Sequence, residues 1–216
     1  MAFNVIDLLT WKRKTHYEHY RSSVRCTYSV VVNIEVDRLV TELKTLGLKP
    51  YPAQIYMLAA VVNAFREFRM DMDREGRLGY WDVSHPAYAI FNRETETFSS
   101  ICTPFNPDFS KFYADCCKDI ETFEKAEVLF PQSDTPENTF SISSVPWLDF
   151  TGFNLNVYGE GAYLPPIFTI GRYLEQGGKK QLPLAIQAHH AVCDGYHVGR
   201  FVVELRDMAA NCKNWL

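Results

Sequence analysis

The chain has no excess of basic residues: 22 Lys and Arg stand against 26 Asp and Glu, giving a net charge of −4. That balance leaves no electrostatic footprint for nucleic acid or for an anionic membrane surface. Cysteine is sparse and scattered. Cys26, Cys102, Cys116, Cys117, Cys193 and Cys212 form no C-x-x-C pair, so they read as reduced thiols, mostly buried as small hydrophobes. No apolar run approaches the roughly eighteen residues of a membrane span; the best candidate, 55–65, is broken by Asn63 and ends in Arg66-Glu67. A basic leader is missing too, because Asp7 precedes the basic stretch 11–14, the wrong order for a secretory signal. The expected location is the cytoplasm. The nucleophile elbow G-x-S-x-G, the phosphate loop G-x-x-x-x-G-K-[ST] and the dinucleotide pattern G-x-G-x-x-G are all absent. Gly177-Gly178-Lys179-Lys180 reads as a solvated hairpin turn.

What remains is an ordinary globular composition, 47% hydrophobic and 22% charged over 216 residues. A chain of this length buries roughly 70% or a little more of its unfolded surface, so it needs no staples. No repeat, linker or low-complexity tract divides it, and a single domain over 1–216 is expected. Fifteen Phe and twelve Tyr suit a compact core or an apolar pocket. Residues 25–36, rich in β-branched side chains, read as a strand. Asp37 caps a helix whose Leu39, Val40, Leu43 and Leu46 share one face, closed by Gly47. A more apolar helix is expected over 52–69, and strands over 78–83, 87–92 and 95–103. Asp108 opens a third helix to about residue 125. Strands at 139–144 and 151–157 flank Pro146-Trp147, and 166–173 pairs with 182–190 across Gly177-Gly178. The last helix, about 195–212, turns Val198, Phe201, Val202, Leu205, Met208 and Ala209 inward. The fold class is α/β, a large mixed sheet covered by helices.

Reactive side chains are densest at His189-His190-Ala191-Val192-Cys193-Asp194-Gly195-Tyr196-His197, between an apolar strand and an amphipathic helix. Three readings compete. His190, Cys193, Asp194 and His197 are all possible metal ligands, but no H-E-x-x-H or C-x-x-C partner stands elsewhere. The bland reading is an interior His with Asp194 as helix N-cap. The third makes His190 a general base, since imidazole suits proton abstraction from an alcohol near neutral pH. His16 and His19 could share a helix face, although surface positions are the simpler reading.

The segment His189–Gly195 resembles the H-H-x-x-x-D-G signature of CoA-dependent acyltransferases. Other blocks make the whole chain similar to the trimeric chloramphenicol acetyltransferases. These are Trp11-Lys12-Arg13-Lys14 with His16-Tyr17-Glu18, Lys49-Pro50-Tyr51-Pro52, Glu67-Phe68-Arg69-Met70 and Thr95-Glu96-Thr97-Phe98-Ser99. Pro146-Trp147, Phe153-Asn154-Leu155-Asn156-Val157 and Pro183-Leu184-Ala185-Ile186-Gln187 extend the likeness. The signature alone is shared with dihydrolipoamide acyltransferase cores and peptide-synthetase condensation domains; length and the other blocks favour the antibiotic-modifying family.

The resemblance implies the CoA-dependent acyltransferase fold, acetyl-CoA as co-substrate, no metal, and a homotrimer with active sites between subunits. It implies acetylation of the primary (3-)hydroxyl of chloramphenicol, without an acyl-enzyme. His190 matches the general base, and Asp194 the carboxylate that pairs with Arg13 in a structural role. Ser143 matches the oxyanion donor, and Thr169 a threonine acting through an ordered water. Matches to the drug pocket are Tyr20, Val24, Cys26, Phe98 and Ser100, with Phe130, Phe153, Leu155 and Ile167. Trp147, Arg172 and Tyr173 lie in blocks lining the CoA side. Two departures stand out: His19 replaces an apolar or aromatic rim residue, and Ser100 a small apolar one. The same chemistry on another hydroxylated compound, a lipoyl acyltransferase core, and a non-catalytic binder of small molecules are the alternatives. The second lacks a lipoyl domain and a Pro/Ala-rich linker. The third is disfavoured by His190, Asp194, Arg13, Ser143 and Thr169 occurring together.

Overall fold

The computed structural model describes residues 2–155, 157 and 163–216. Its strands are β1 (Phe3–Val5), β2 (Thr27–Glu35), β3 (Met70–Met72), β4 (Leu78–Trp81), β5 (His85–Asn92), β6 (Thr97–Cys102), β7 (Thr139–Val145), β8 (Ile167–Gly171), β9 (Leu174–Gln176) and β10 (Lys179–His189). The helices are α1 (Lys14–Glu18), α2 (Asp37–Leu46), α3 (Pro50–Ala64), α4 (Phe109–Phe123) and α5 (Gly195–Ala210).

The main sheet runs β2-β10-β8-β7-β5-β6, with β9 paired to β10. It is mixed: β7 is parallel to both β5 and β8, and the other pairs are antiparallel. A small antiparallel sheet, β1-β4-β3, lies apart. The β9–β10 hairpin turns on Gly177 and Gly178, both at positive φ (62° and 75°), where side chains with a Cβ are strained.

Side chains alternate between the two faces of a strand, and here the faces differ in composition. Ile34, Leu184, Ile186, Phe168, Ile170, Ile142, Tyr88 and Ile101 are buried in one core with α2, α3, α4 and α5. Phe168 is stacked on Phe201 of α5 at 5.1 Å and meets Phe140 edge-on at 5.8 Å. Truncating such a fully buried ring costs about 3–5 kcal/mol. The opposite face carries two aligned rows, Ser29–Gln187–Ile167–Ser141 and Val31–Ala185–Thr169–Ser143. At its β5–β6 end Phe91 and Phe98 face each other, and both are exposed. None of the described helices covers these rows; the Tyr163 phenol bonds Ser141 Oγ at 3.1 Å, and the segment 146–155 crosses part of them. Its passage requires Gly171, whose added Cβ would stand 2.9 Å from the Phe150 ring and 3.1 Å from the Leu148 carbonyl oxygen.

Several expectations need correction. The expected strand 151–157 is irregular at 151–155 and 157, and Asn156 lies outside the described residues. The helix expected over 52–69 starts at Pro50 and ends at Ala64, because Phe65 is extended (φ −121°, ψ 125°). A 3₁₀ turn, Arg66–Arg69, follows and leads into β3. Asp37 does not cap α2 but stands inside it; its carboxylate accepts from the Lys180 backbone N–H at 2.7 Å, after the cap position Val36. Gly47 closes α2 at φ 68°, as expected of a left-handed C-cap. Asp108 caps α4 by accepting from the Lys111 N–H at 3.1 Å. All six cysteines are free, and Cys26 and Cys117 are only half-buried.

Candidate active site

His190 stands one residue past β10, and its N–H still donates to the Cys26 carbonyl at 2.9 Å. That bond extends the β2–β10 ladder and fixes the backbone that carries the imidazole. The ring stacks on Tyr20 at 4.1 Å with 3° between planes, and Tyr28 meets its edge at 5.3 Å. Tyr20 arrives on a π-helical turn, His19–Ser23, directly after α1; such turns are frequent at functional sites. The His190 Nδ1 is buried and has no hydrogen-bond partner among the described residues. Leaving a buried polar atom unpaired costs about 1–3 kcal/mol, so the position is not explained by stability.

A charged network holds the loop that follows. Arg13 donates to Asp194 Oδ2 at 2.5 Å and reaches the His190 carbonyl at 3.5 Å. Asp194 caps α5 by accepting from the Tyr196 N–H at 3.1 Å, while its own N–H donates to His197 Nδ1 at 3.1 Å. Burial alone would raise the Asp194 carboxyl, but the Arg13 hydrogen bond and neighbouring positive charge outweigh it and hold the group below the ordinary carboxylate range. The other side of His197 faces Glu67 at 3.8 Å. His189 is buried, its Nδ1 accepts from the Ala191 N–H at 3.2 Å, and burial followed by the neighbouring His190 lowers its pKa. Burial pushes the Cys193 thiol up to about 12, which keeps it protonated and a poor ligand or nucleophile. Among the described residues no three His, Cys, Asp or Glu side chains converge on one point.

Ser143 and Thr169 are register partners on adjacent parallel strands, on the face that the helices leave open. Thr169 is only 1% exposed and lines a cavity of about 10 Å³ with Ser29, Gln187, Phe153, Leu155 and Ile167. That is room for one water among polar groups. This pair does not meet His190 within the chain. Thr169 is aligned with Ala185, five residues before His190 on β10, or roughly 17 Å at the rise of a strand, and Ser143 lies a further strand away.

The drug-pocket candidates fall into three places. Tyr20, Val24 and Cys26 gather beside His190: the Val24 N–H donates to the His19 carbonyl, and the Cys26 carbonyl accepts from His190. Phe153, Leu155 and Ile167 belong to the mid-sheet cavity. Phe98, Ser100 and Phe130 lie at the β6 edge, where the Ser100 N–H donates to the Leu129 carbonyl at 2.7 Å and Phe130 is 70% exposed. His19 is exposed and meets Tyr20 edge-on. Trp147 is exposed against Phe91, and Arg172 pairs with Asp149 at 2.6 Å. Tyr173 differs from both: it is half-buried against the core, and its phenol oxygen accepts from Gln54 at 2.6 Å. Sequence reasoning missed Tyr28 as a contact of the His190 ring and the contacts that His197 makes with Asp194 and Glu67. Of these only His197 carried a signal, three residues after the cap Asp194, where a capping box places its second partner.

The family profile described as chloramphenicol acetyltransferase matches residues 1–206. A chloramphenicol acetyltransferase from Clostridium butyricum is 51% identical over 216 residues, all of this chain and 99% of the relative. One from Bacillus pumilus is 54% identical over 204 residues, covering 94% of this chain and 92% of the relative. Among solved structures, a chloramphenicol acetyltransferase superposes with a TM-score of 0.87 at 21% identity, over 96% of this chain and 100% of the other. That last likeness speaks to the fold.

Proposed function

The chain belongs to the chloramphenicol acetyltransferase family, and from that premise we propose that it moves the acetyl group of acetyl-CoA to the primary (3-)hydroxyl of chloramphenicol, inactivating the drug. His190 takes the hydroxyl proton as the oxygen attacks the thioester carbonyl. The tetrahedral oxyanion accepts a hydrogen bond from Ser143, with Thr169 acting through a water in the adjoining cavity. When the intermediate collapses, the C–S bond breaks and the departing thiolate takes the proton from His190. A thioester is already activated, so positioning, a base and an oxyanion donor suffice, and no acyl-enzyme or metal is needed. Arg13 and Asp194 keep the loop in shape. Trp147 and Arg172 supply an exposed ring and a cation toward CoA.

The observation that carries this reading is His190: the signature histidine, held between two tyrosine rings with a buried, unpartnered ring nitrogen. The separation of His190 from Ser143 within one chain supports a homotrimer in which the base of one subunit faces the hydroxyl pair of the next. Exposed Phe91, Phe98 and Leu155, all on or beside the open face, support the same arrangement. The described helices include none long and apolar enough to cross a membrane, in keeping with a cytoplasmic enzyme.

Thiol release from acetyl-CoA, measured with and without chloramphenicol and with product identified by mass and NMR, tests the reading. Acceptor-dependent release with acetylation at the primary hydroxyl is expected. Release only with other hydroxylated acceptors would assign the polar His19 and Ser100 a different substrate, and no acceptor-dependent release would overturn the reaction.

A further inference from the structure

Gln187 is a buried polar residue, 7% exposed, near the end of β10 between Ile186 and Ala188. Its row partners are Ser29 and Ile167. An aliphatic side chain would be the simple choice at such a place, because a buried amide costs free energy unless it is bonded. The bond Gln187 makes is specific: its Oε1 accepts from the Leu155 N–H at 3.1 Å. Leu155 lies in the irregular segment that crosses the open face, where no strand ladder is available to take its amide. Phe153 and Leu155 line the cavity together with Gln187 and Thr169.

We propose that Gln187 is a specificity-determining positioning residue, which pins Leu155 and so sets the apolar wall that the acceptor meets. The proposal rests on the reading of Phe153 and Leu155 as acceptor wall. Gln187 is on β10 three residues before His190, which directly follows the strand, so one strand and its continuation fix both the base and the wall. A change in the wall would alter how tightly the acceptor is held, while the proton transfer and the CoA side keep their own supports.

Gln187→Leu removes the acceptor oxygen at similar size, and Gln187→Glu keeps it, since a carboxyl oxygen accepts from an N–H in either protonation state. Losing one such bond is expected to raise the KM for chloramphenicol about five- to tenfold in Gln187→Leu. The KM for acetyl-CoA stays within about twofold, kcat falls by no more than the acceptor KM rises because Gln187 also lines the cavity beside Thr169, and Gln187→Glu stays closer to wild type than Gln187→Leu in each. Hydrogen exchange of peptides covering Phe153 and Leu155 gives a second readout, independent of activity. It is expected to quicken in Gln187→Leu and not in Gln187→Glu. An unchanged acceptor KM with unchanged exchange would overturn the proposal, as would parallel losses in both KM values and kcat with faster exchange across the whole chain. A wild-type protein with no chloramphenicol-dependent thiol release would instead remove the reading beneath it, and the exchange measurement would still decide whether Gln187 anchors the segment.

Discussion

Around His190, ring contacts and charge pairs hold the geometry from within the chain: Tyr20 and Tyr28 fix the imidazole, and Arg13, Asp194 and His197 fix the loop behind it. Across the face that carries Ser143 and Thr169 the arrangement is different. There the side chains stand in open rows, large apolar groups such as Phe98 remain exposed, and among the described residues the segment 146–155 and Tyr163, whose phenol bonds Ser141 Oγ at 3.1 Å, lie over part of them. The first region is complete in itself; the second has the makings of a wall with its opposite side missing. Neither region alone contains a base and an oxyanion donor within reach of one carbonyl. Under the proposed function the two halves of the chemistry are separated by the chain's own topology, and the exposed Phe91, Phe98 and Leu155 are where a second chain would complete the wall.

The sharpest break comes from the self-contained corner. His190→Ala is expected to lower acetyl transfer by at least about 10²–10⁴-fold, the usual worth of general-base catalysis, with more lost because the hydroxyl is no longer positioned. Circular dichroism should stay near wild type, and melting should fall only by the ring contacts to Tyr20 and Tyr28, since among the described residues the buried Nδ1 makes no hydrogen bond to lose. A variant that kept a tenth of wild-type activity would contradict the role.

Ser143→Ala probes the open face. Loss of one oxyanion donor is expected to lower kcat about 10²–10³-fold, with both KM values nearly unchanged, because the bond is made mainly in the transition state. A purely structural serine would instead shift the melting temperature and change kinetics only in proportion to folded protein.

Arg13→Leu gives the smallest effect and returns to the corner. Removing a charged hydrogen bond to Asp194 is expected to cost about 1–3 kcal/mol of stability. The folded-state pKa of Asp194 lies below its ordinary value, so the pair stabilises the protein above the unfolded carboxylate pKa near ~4 and loses that contribution as pH falls through the folded value. The gap in melting temperature between wild type and variant is therefore full at neutral pH and narrows below about pH 4. A gap that stayed constant down to pH 3 would show that Arg13 acts by packing alone.

Much of this was legible in the sequence, for identifiable reasons. The Asp108 and Asp194 caps, the Gly47 terminus and the Gly177-Gly178 turn are local signals, and each behaves as its chemistry demands. The inward face of α5 followed from its period. Where tertiary packing decides, local reading failed: residues 151–155 have strand-like composition, yet they cross the sheet face instead of joining its ladder, held by Gln187 at Leu155 and entering from Leu148 and Phe150 in the space Gly171 leaves. Asp37 looked like a cap, but the Lys180 N–H captured its carboxylate. His190 and Asp194 stand in the family signature and Ser143 in a separate block matched to the family, and their roles are proposed from that likeness. That Ser143 and His190 stand far apart in one chain came from strand order and register, which no local pattern encodes.

The central claim is that catalysis needs the base of one chain and the hydroxyl pair of another, and complementation tests it most directly. His190→Ala and Ser143→Ala chains, each crippled alone, are co-expressed in equal amounts and the mixed oligomers assayed for chloramphenicol-dependent thiol release. With random assembly, an intersubunit site draws an intact His190 from one chain and an intact Ser143 from its neighbour, so about a quarter of wild-type activity per site is expected to return. If both groups served one active site within a single chain, every site would carry one defect, and activity would remain at the level of the parent variants.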